Sequence, residues 1–368
     1  MVSILIRNLS LVRKRLRQSL FLYNLNRQSI SVPKGVAKLS YGRDIGALLE
    51  QKSHLTGGRV KLTHLHAVYP HDHTRFNILY LVSSALPLYA AEVVRWAKRN
   101  GARIILNQNG TAYPAWTDDY QTINDELGEV ISQTDFVLYQ SEFCKQAADH
   151  FICKAPKGSD ILLNCVNVDR FRPIAKSDSG ITRLLVAGTH YQRERVVLPL
   201  YALRALLDRG VRASLEVAGQ CKWPSAAQEV AQLIESLQLA SAVTLSGPYT
   251  QAEAPALYAK NDILIHLKHQ DPCPSVVIEA MACGLPVVAS KSGGVPEILG
   301  RSGGVLLPVD ESWAEMFYPE VSAISEAIVE LSDHLDGRSA MARQHAVERF
   351  SVSAWLHRHA SVFQQQLN

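Results

Sequence analysis

The sequence predicts an α/β protein built from two parallel-sheet domains. Three observations lead there. The chain has 368 residues, and at about 150 residues per domain that leaves room for two. Short apolar or β-branched runs alternate with helical patterns along most of its length. One stretch near the middle, rich in Pro, Gly and Ser, interrupts the alternation.

Taken in order, residues 1–30 come first. Leu5, Leu9, Val12, Leu16 and Leu20 recur at helical spacing, and Arg7, Arg13, Lys14, Arg15 and Arg17 occupy the rest of the surface. This is a basic amphipathic helix, which either lies on an anionic bilayer or docks on its own domain with the basic face solvated. Strands are then expected at 60–64, 77–82, 102–107, 135–139 and 160–163, with a helix over 89–99 between two of them. The interruption follows at 167–180, where Arg170-Phe171-Arg172-Pro173 leads into Lys176-Ser177-Asp178-Ser179-Gly180. A second series has strands at 182–187, 214–218, 243–246, 262–266, 286–289 and 304–307, with helices at 198–209 and 226–237. The first domain is therefore placed at 1–172 and the second at 173–349.

Composition narrows the function. With 47% apolar and 20% charged residues the chain is globular, and no apolar run reaches the roughly 18 residues of a spanning helix. Nine Lys and Arg and no acid precede Asp44, so the rest of the chain holds 34 acids against 29 bases. The basic character is local and the body mildly acidic, which argues against nucleic acid. The six cysteines form no C-x-x-C pair, and the chain does not open on a cleavable secretory signal. Reduced thiols in a cytoplasmic protein are expected. His64/His66 and His71/His73 could each share one face of a strand, but no third ligand stands at metal spacing.

The chemistry concentrates between Asp262 and Leu299. In open parallel sheets the ligand crevice lies beyond the carboxyl ends of the strands. There a loop, 268–274, follows a strand, and Ser275 stands where an N-cap belongs, ahead of a helix that Gly284 closes. The first amides of that helix, from Ser275 through Val276 to Val277, and its positive dipole end suit a diphosphate. Glu279, one turn further in, suits a pair of ribose hydroxyls, and Asp271 suits the hydroxyls of a sugar. In the first domain, Asn107-Gln108-Asn109-Gly110 follows a strand and precedes Tyr113, Pro114 and Trp116. This is either an acceptor rim, with Asn109, Gly110 and Tyr113 as its contacts, or an ordinary turn with packed aromatics.

Asp271-Pro-Cys-Pro-Ser-Val-Val-Ile-Glu279, with Ala-Met-Ala-Cys-Gly-Leu-Pro-Val-Val-Ala and Gly293-Gly294-Val295-Pro296-Glu297 after it, resembles the E-x7-E signature region of the fourth glycosyltransferase family. Asn164 to Pro173, Ser141-Glu142-Phe143 and Phe350 to Leu367 are similar to further segments of that family. The resemblance implies a GT-B fold, two Rossmann-like domains facing across a cleft, with a C-terminal helix (350–368) crossing back to the first domain. It implies retaining transfer from a nucleotide-sugar donor to a carbohydrate or lipid-linked acceptor, in polysaccharide or glycolipid biosynthesis, and the basic segment 1–30 suggests the cytoplasmic face of an anionic membrane as the place. It also implies roles: Asp271 in catalysis, Glu279, Ser275, Val276, Gly188, Gly293 and Gly294 in donor binding, and Arg195, Arg193 or Lys268 against the leaving diphosphate. The chain departs from the pattern at Asp271, where Glu is usual, at Pro272 and Pro274, which remove backbone donors, and at Cys165, where Gly is usual. The segment Gly188-Thr-His-Tyr-Gln-Arg193-Glu-Arg195 replaces "GR…KG", which leaves Arg195, favoured, and Arg193 both open. No D-x-D occurs, and neither metal nor cofactor is expected. A GT-B epimerase, a phosphorylase and a non-catalytic nucleotide-sugar-binding protein are the alternatives.

Overall fold

The computed structural model describes residues 16–43, 45, 57–175 and 180–368. Leu5, Arg7, Leu9, Val12, Arg13, Lys14 and Arg15 of the amphipathic segment, and residues 176–179 of the interruption, lie outside the described residues.

The first domain runs α1 (residues 16–26), β1 (Leu39–Ser40), α2 (Gly57–Val68), β2 (Ile78–Val82), α3 (Ala90–Arg99), β3 (Arg103–Gln108), α4 (Tyr120–Ile131), β4 (Phe136–Tyr139), α5 (Glu142–Phe151) and β5 (Ser159–Ile161). The five strands pair in parallel in chain order. All five residues of β2 are buried, as a strand covered by helices on both faces requires, and that is why these strands read as unbroken apolar runs.

The second domain runs β6 (Thr182–Ala187), α6 (Glu194–Asp208), β7 (Ala213–Ala218), α7 (Ala226–Ser236), β8 (Val243–Gly247), α8 (Ala254–Ala259), β9 (Ile263–His266), α9 (Ser275–Ala282), β10 (Val287–Ser290), α10 (Val295–Leu299), β11 (Gly304–Leu307), α11 (Val321–Asp333) and α12 (Leu335–Phe350). Its parallel sheet has the order β11-β10-β9-β6-β7-β8. This doubly wound arrangement reverses direction between β6 and β9, and such a switch point opens a crevice at the carboxyl ends of both strands.

The last helix, α13 (Val352–Leu367), returns to the first domain. Ser351 is extended between the two helices and caps the second, its hydroxyl accepting from the Ala354 N–H. Trp355, Val362 and Phe363 are buried in one cluster with Leu39, Tyr80 and Leu138, and the Tyr80 hydroxyl lies 2.8 Å from His359 Nε2. The first domain's core is thus completed by the end of the chain.

Four expectations are corrected. Residues 60–64 are helical, within α2. Gly58, Lys61, Leu62 and Leu65 are its buried positions, a helical period that a five-residue window cannot distinguish from strand alternation. Hence His64 and His66 share a helix, not a strand, and among the described residues no group of three or more His, Cys, Asp or Glu is placed to hold a metal. Second, β1, only two residues long, was not expected. Third, α6 begins at Glu194, four residues before the expected 198, because Pro199 sits inside the helix rather than in its first turn. Fourth, Pro274, not Ser275, occupies the N-cap of α9. Its fixed φ of −69° with an extended ψ leads into the helix, and Ser275 becomes the first helical residue.

The helix α1 docks on the first domain, but not through the expected face. Gln18 donates to Glu92 at 2.7 Å, Phe21 packs 5.1 Å from the Tyr89 ring and Leu25 is buried in the core. Leu16 and Leu20 are 64% and 62% exposed.

Candidate active site

The switch point brings two loops together. After β6, Gly188 has φ +107°, a conformation that suits glycine. It fits between Val276 and Arg195, which a side-chain Cβ would meet at 3.6 and 3.7 Å. Arg195, in the first turn of α6, is buried. Its Nη1 donates to the Thr189 carbonyl at 2.7 Å and its Nη2 to that of Ala187 at 3.2 Å, while Nε has no partner among the described residues. A buried guanidinium held by carbonyls rather than by a carboxylate retains its charge for an incoming anion. Arg193 does not join it. It is the N-cap residue of α6, half-exposed, and its guanidinium pairs with Glu229 and, at 3.7 Å, with Glu194.

After β9, the loop 268–274 carries Lys268, Gln270 and Asp271. Asp271 Oδ2 lies 3.1 Å from Lys268 Nζ and 3.4 Å from His266 Nε2. Burial pushes this carboxyl up, but Lys268 and His266 outweigh it and hold the group well below the usual carboxylate range. Asp271 thus faces two basic side chains of its own loop and strand. Gly293 and Gly294 make the loop's position possible. A Cβ on Gly293 would stand 2.6 Å from the Asp271 carbonyl oxygen, and one on Gly294 2.0 Å from that of Pro272. Both pack against this loop's backbone. Asn164, from the segment joining the domains, donates to the Cys273 carbonyl at 2.7 Å and locks the same loop from below.

At the start of α9 the amides of Ser275 and Val276 make no hydrogen bond to a described residue. Glu279 lies in the next turn and is buried. Its Oε1 accepts from Gln251 Nε2 and its Oε2 from the Tyr258 hydroxyl, each at 3.0 Å. Burial pushes its carboxyl up to about 7, against the opposing pull of Gln251, Tyr258 and Arg170.

A cavity of about 530 Å³ separates the domains. Its second-domain wall consists of Tyr191, Gln192, Arg195, Lys268, Gln270 and Pro272, and its first-domain wall includes Gly110, Thr111, Tyr113, Trp116, Phe143 and Cys144. Asp271, Glu279 and Asn109 are not among its lining residues. Asn109 Nδ2 donates to Ser84 Oγ, and its Oδ1 accepts from Lys61 Nζ at 3.3 Å. Lys61 was hidden in the misassigned strand. It is buried, donates also to Asn107 at 2.8 Å, and burial lowers it to about 8. A strap of the second domain, residues 311–318, packs against the first-domain wall. The Trp313 carbonyl accepts from the Ala115 N–H at 2.8 Å, and its ring stacks on Phe143 and meets Tyr113 edge-on. Neither Gln270 nor this strap carries a motif that would have marked it in the sequence.

Residues 181–333 match the family model "Glycosyl transferases group 1". The second domain belongs to that family. The chain is accordingly a glycosyltransferase. Solved structures show the same fold over most of the chain. Anabaena HepE, in complex with UDP and glucose, is 18% identical with a TM-score of 0.63, the match covering 82% of this chain and 79% of that one. WaaG, a glycosyltransferase involved in lipopolysaccharide biosynthesis, is 15% identical with a TM-score of 0.61, covering 84% and 97%. A glycosyltransferase from Rickettsia africae is 17% identical with a TM-score of 0.60, covering 84% and 80%. Curated protein sequences give no match. The architecture of this glycosyltransferase is GT-B, two parallel-sheet domains with a cleft between them.

Proposed function

We propose that the chain transfers a sugar, with retention of configuration, from a nucleotide diphosphate sugar to a carbohydrate or lipid-linked acceptor in cell-surface polysaccharide or glycolipid biosynthesis. The observation that carries this reading is the placement of Arg195 and Lys268 in one wall of the interdomain cavity, at the switch point. These cations, with the start of α9, face the position where charge grows on a departing diphosphate. On this reading the acceptor oxygen bonds to the anomeric carbon on the face the diphosphate leaves, and a phosphate oxygen takes the acceptor's proton. Glu279 accepts from ribose hydroxyls after exchanging Gln251 or Tyr258 for them. Asp271 holds Lys268 in place. Arginine, lysine and a helix terminus supply the positive charge, and neither a divalent cation nor a cofactor is invoked.

The acceptor reading draws on the apolar, aromatic first-domain wall and on the involvement of WaaG in lipopolysaccharide biosynthesis. Contact with the cytoplasmic face of an anionic membrane through residues 1–30 is part of the proposal. It is supported by exposed Leu16 and Leu20 beside Arg17, and by the excess of basic residues before Asp44. No helix among the described residues is long and apolar enough to cross a membrane.

The test is a panel of nucleotide sugars, starting with UDP-glucose, incubated with and without carbohydrate and lipid-linked acceptors in the presence of EDTA. Acceptor-dependent release of nucleoside diphosphate is the expected result. Binding without release would indicate a non-catalytic protein, conversion of the sugar without release an epimerase, and a requirement for inorganic phosphate a phosphorylase.

A further inference from the structure

Gln270 is the one residue of the cavity wall whose backbone is left-handed without being glycine, with φ +49°. The other three such residues among those described, Tyr89, Ser225 and Gln238, flank the ends of helices. A glutamine in this region persists only where its surroundings over-determine it, and such positions cluster at ligand sites. The surroundings of Gln270 do this. Its N–H donates to Ser292 Oγ at 3.1 Å, and its Nε2 donates to the Ser312 carbonyl at 2.9 Å. The neighbouring His269 is fixed as well, its N–H donating to Gln192 Oε1 at 2.9 Å.

These anchors decide which way the amide is oriented. A carbonyl must face the NH2 group, so the Ser312 carbonyl leaves Oε1 on the opposite side. There Oε1 is buried and has no hydrogen-bond partner among the described residues. Native proteins rarely leave a buried acceptor unpaired, and an acceptor-only oxygen rejects an anion but receives a hydroxyl. The cations that suit the diphosphate, Arg195 and Lys268, line the same wall. The sugar attached to that diphosphate therefore lies within reach of the same loop.

We propose that Gln270 is a specificity-determining residue for the transferred sugar, its Oε1 accepting a hydrogen bond from one hydroxyl of the glycosyl group. The inference rests on the nucleotide-sugar reading of the cavity. The role differs from that of Asp271, whose carboxylate is turned toward Lys268 and His266. A donor lacking the recognised hydroxyl leaves Oε1 buried and unpaired, and the expected loss in kcat/KM is about 10- to 100-fold.

The test measures kcat/KM for UDP-glucose and its four monodeoxy analogues in the wild type and in Gln270→Met, which keeps the length and removes the amide's donor and acceptor. If the donor panel selects another nucleotide sugar, its own monodeoxy series is used. One analogue is expected to lose that factor in the wild type and little or nothing beyond the parent in Gln270→Met. A wild-type-to-variant ratio that is the same for the parent and every analogue overturns the proposal, as does a wild type indifferent to every deoxygenation. Should Gln270→Met not fold, Gln270→Asn, whose shorter amide withdraws the oxygen, takes its place. Binding of UDP alone separates the two readings. A wild type that binds no nucleoside diphosphate refutes the proposed function, whereas intact binding with no coupling refutes only the role of Gln270.

Discussion

The two walls of the cleft are built on different principles. The second-domain wall stands at a topological switch point, and its charges are interlocked. Arg195 is held by two carbonyls, and Lys268 is held by Asp271. The first-domain wall comes from strands paired in chain order and presents Tyr113, Trp116 and Phe143. Among the described residues of the first domain the one buried cation is Lys61, which donates to Asn107 and Asn109. On the proposed function, the difference teaches what each ligand asks of a protein. A diphosphate is recognised by fixed positive charge and free amides, which need a rigid backbone nearby. A hydroxylated or lipid-linked acceptor is recognised by shape and apolar faces, which side chains alone provide.

The largest expected effect breaks the charged wall. Arg195→Ala should lower turnover by about 10²- to 10³-fold, the scale for removing one preorganised donor, while Arg193→Ala, on the outer surface, should change it little. Steady-state kinetics on both variants decide this, and the reverse outcome would move the diphosphate site away from the cavity.

Glu279 sharpens the same side through pH. Its carboxyl is raised from an ordinary 4.5 to about 7 by burial, so the folded protein binds this proton more tightly than the unfolded chain does. The group's contribution is then fully present below pH 4.5 and lost as pH rises through 7, a change of about 3 kcal/mol. Urea midpoints from pH 4.5 to 8 should show that slope in the wild type and a shallower one in Glu279→Gln. Equal slopes would mean that the carboxylate is solvated. The same substitution should weaken UDP binding if ribose is its partner.

Trp116→Ala tests the opposite wall. Losing a 56% exposed ring at the cavity should raise the acceptor KM about tenfold and leave UDP affinity unchanged, as isothermal titration can show. A fall in UDP affinity of the same size would merge the two walls into one site.

The smallest effect concerns the first domain's outer surface. Leu25 belongs to the core, so removing residues 1–30 would disturb more than a membrane contact, and Leu16→Ser with Leu20→Ser is the cleaner change. The wild type should sediment with anionic vesicles at low salt and less at high salt, and the double variant should sediment less under both conditions. Attraction of about 1 kcal/mol per basic residue near the surface explains the salt dependence. Identical sedimentation of the two proteins would assign the helix to docking alone.

Much of this was legible in the amino-acid order. The alternation of strands and helices, the loop after β9 and the glycine after β6 are local patterns, and local patterns depend on residues close in sequence. The run at 60–64 was misread because five residues do not separate two periods, and Lys61 went unnoticed within it. The start of α6 was misplaced by about one turn, and Pro199, a residue that favours a first turn, lies inside the helix.

What only the tertiary structure decided are the partnerships across long sequence distances. The sequence left Arg195 and Arg193 as rivals two residues apart. The fold buries the first beneath the turn after β6 and gives the second to Glu229. Asp271 and Gln270 are neighbours in the chain, yet one is turned onto Lys268 and His266, and the other is locked by Ser292 and by Ser312, 42 residues away. No periodicity encodes such pairings. The direction of a side chain in a loop is set by whichever distant groups the fold brings within hydrogen-bond range, because a buried polar atom must find its partner wherever the packing supplies one.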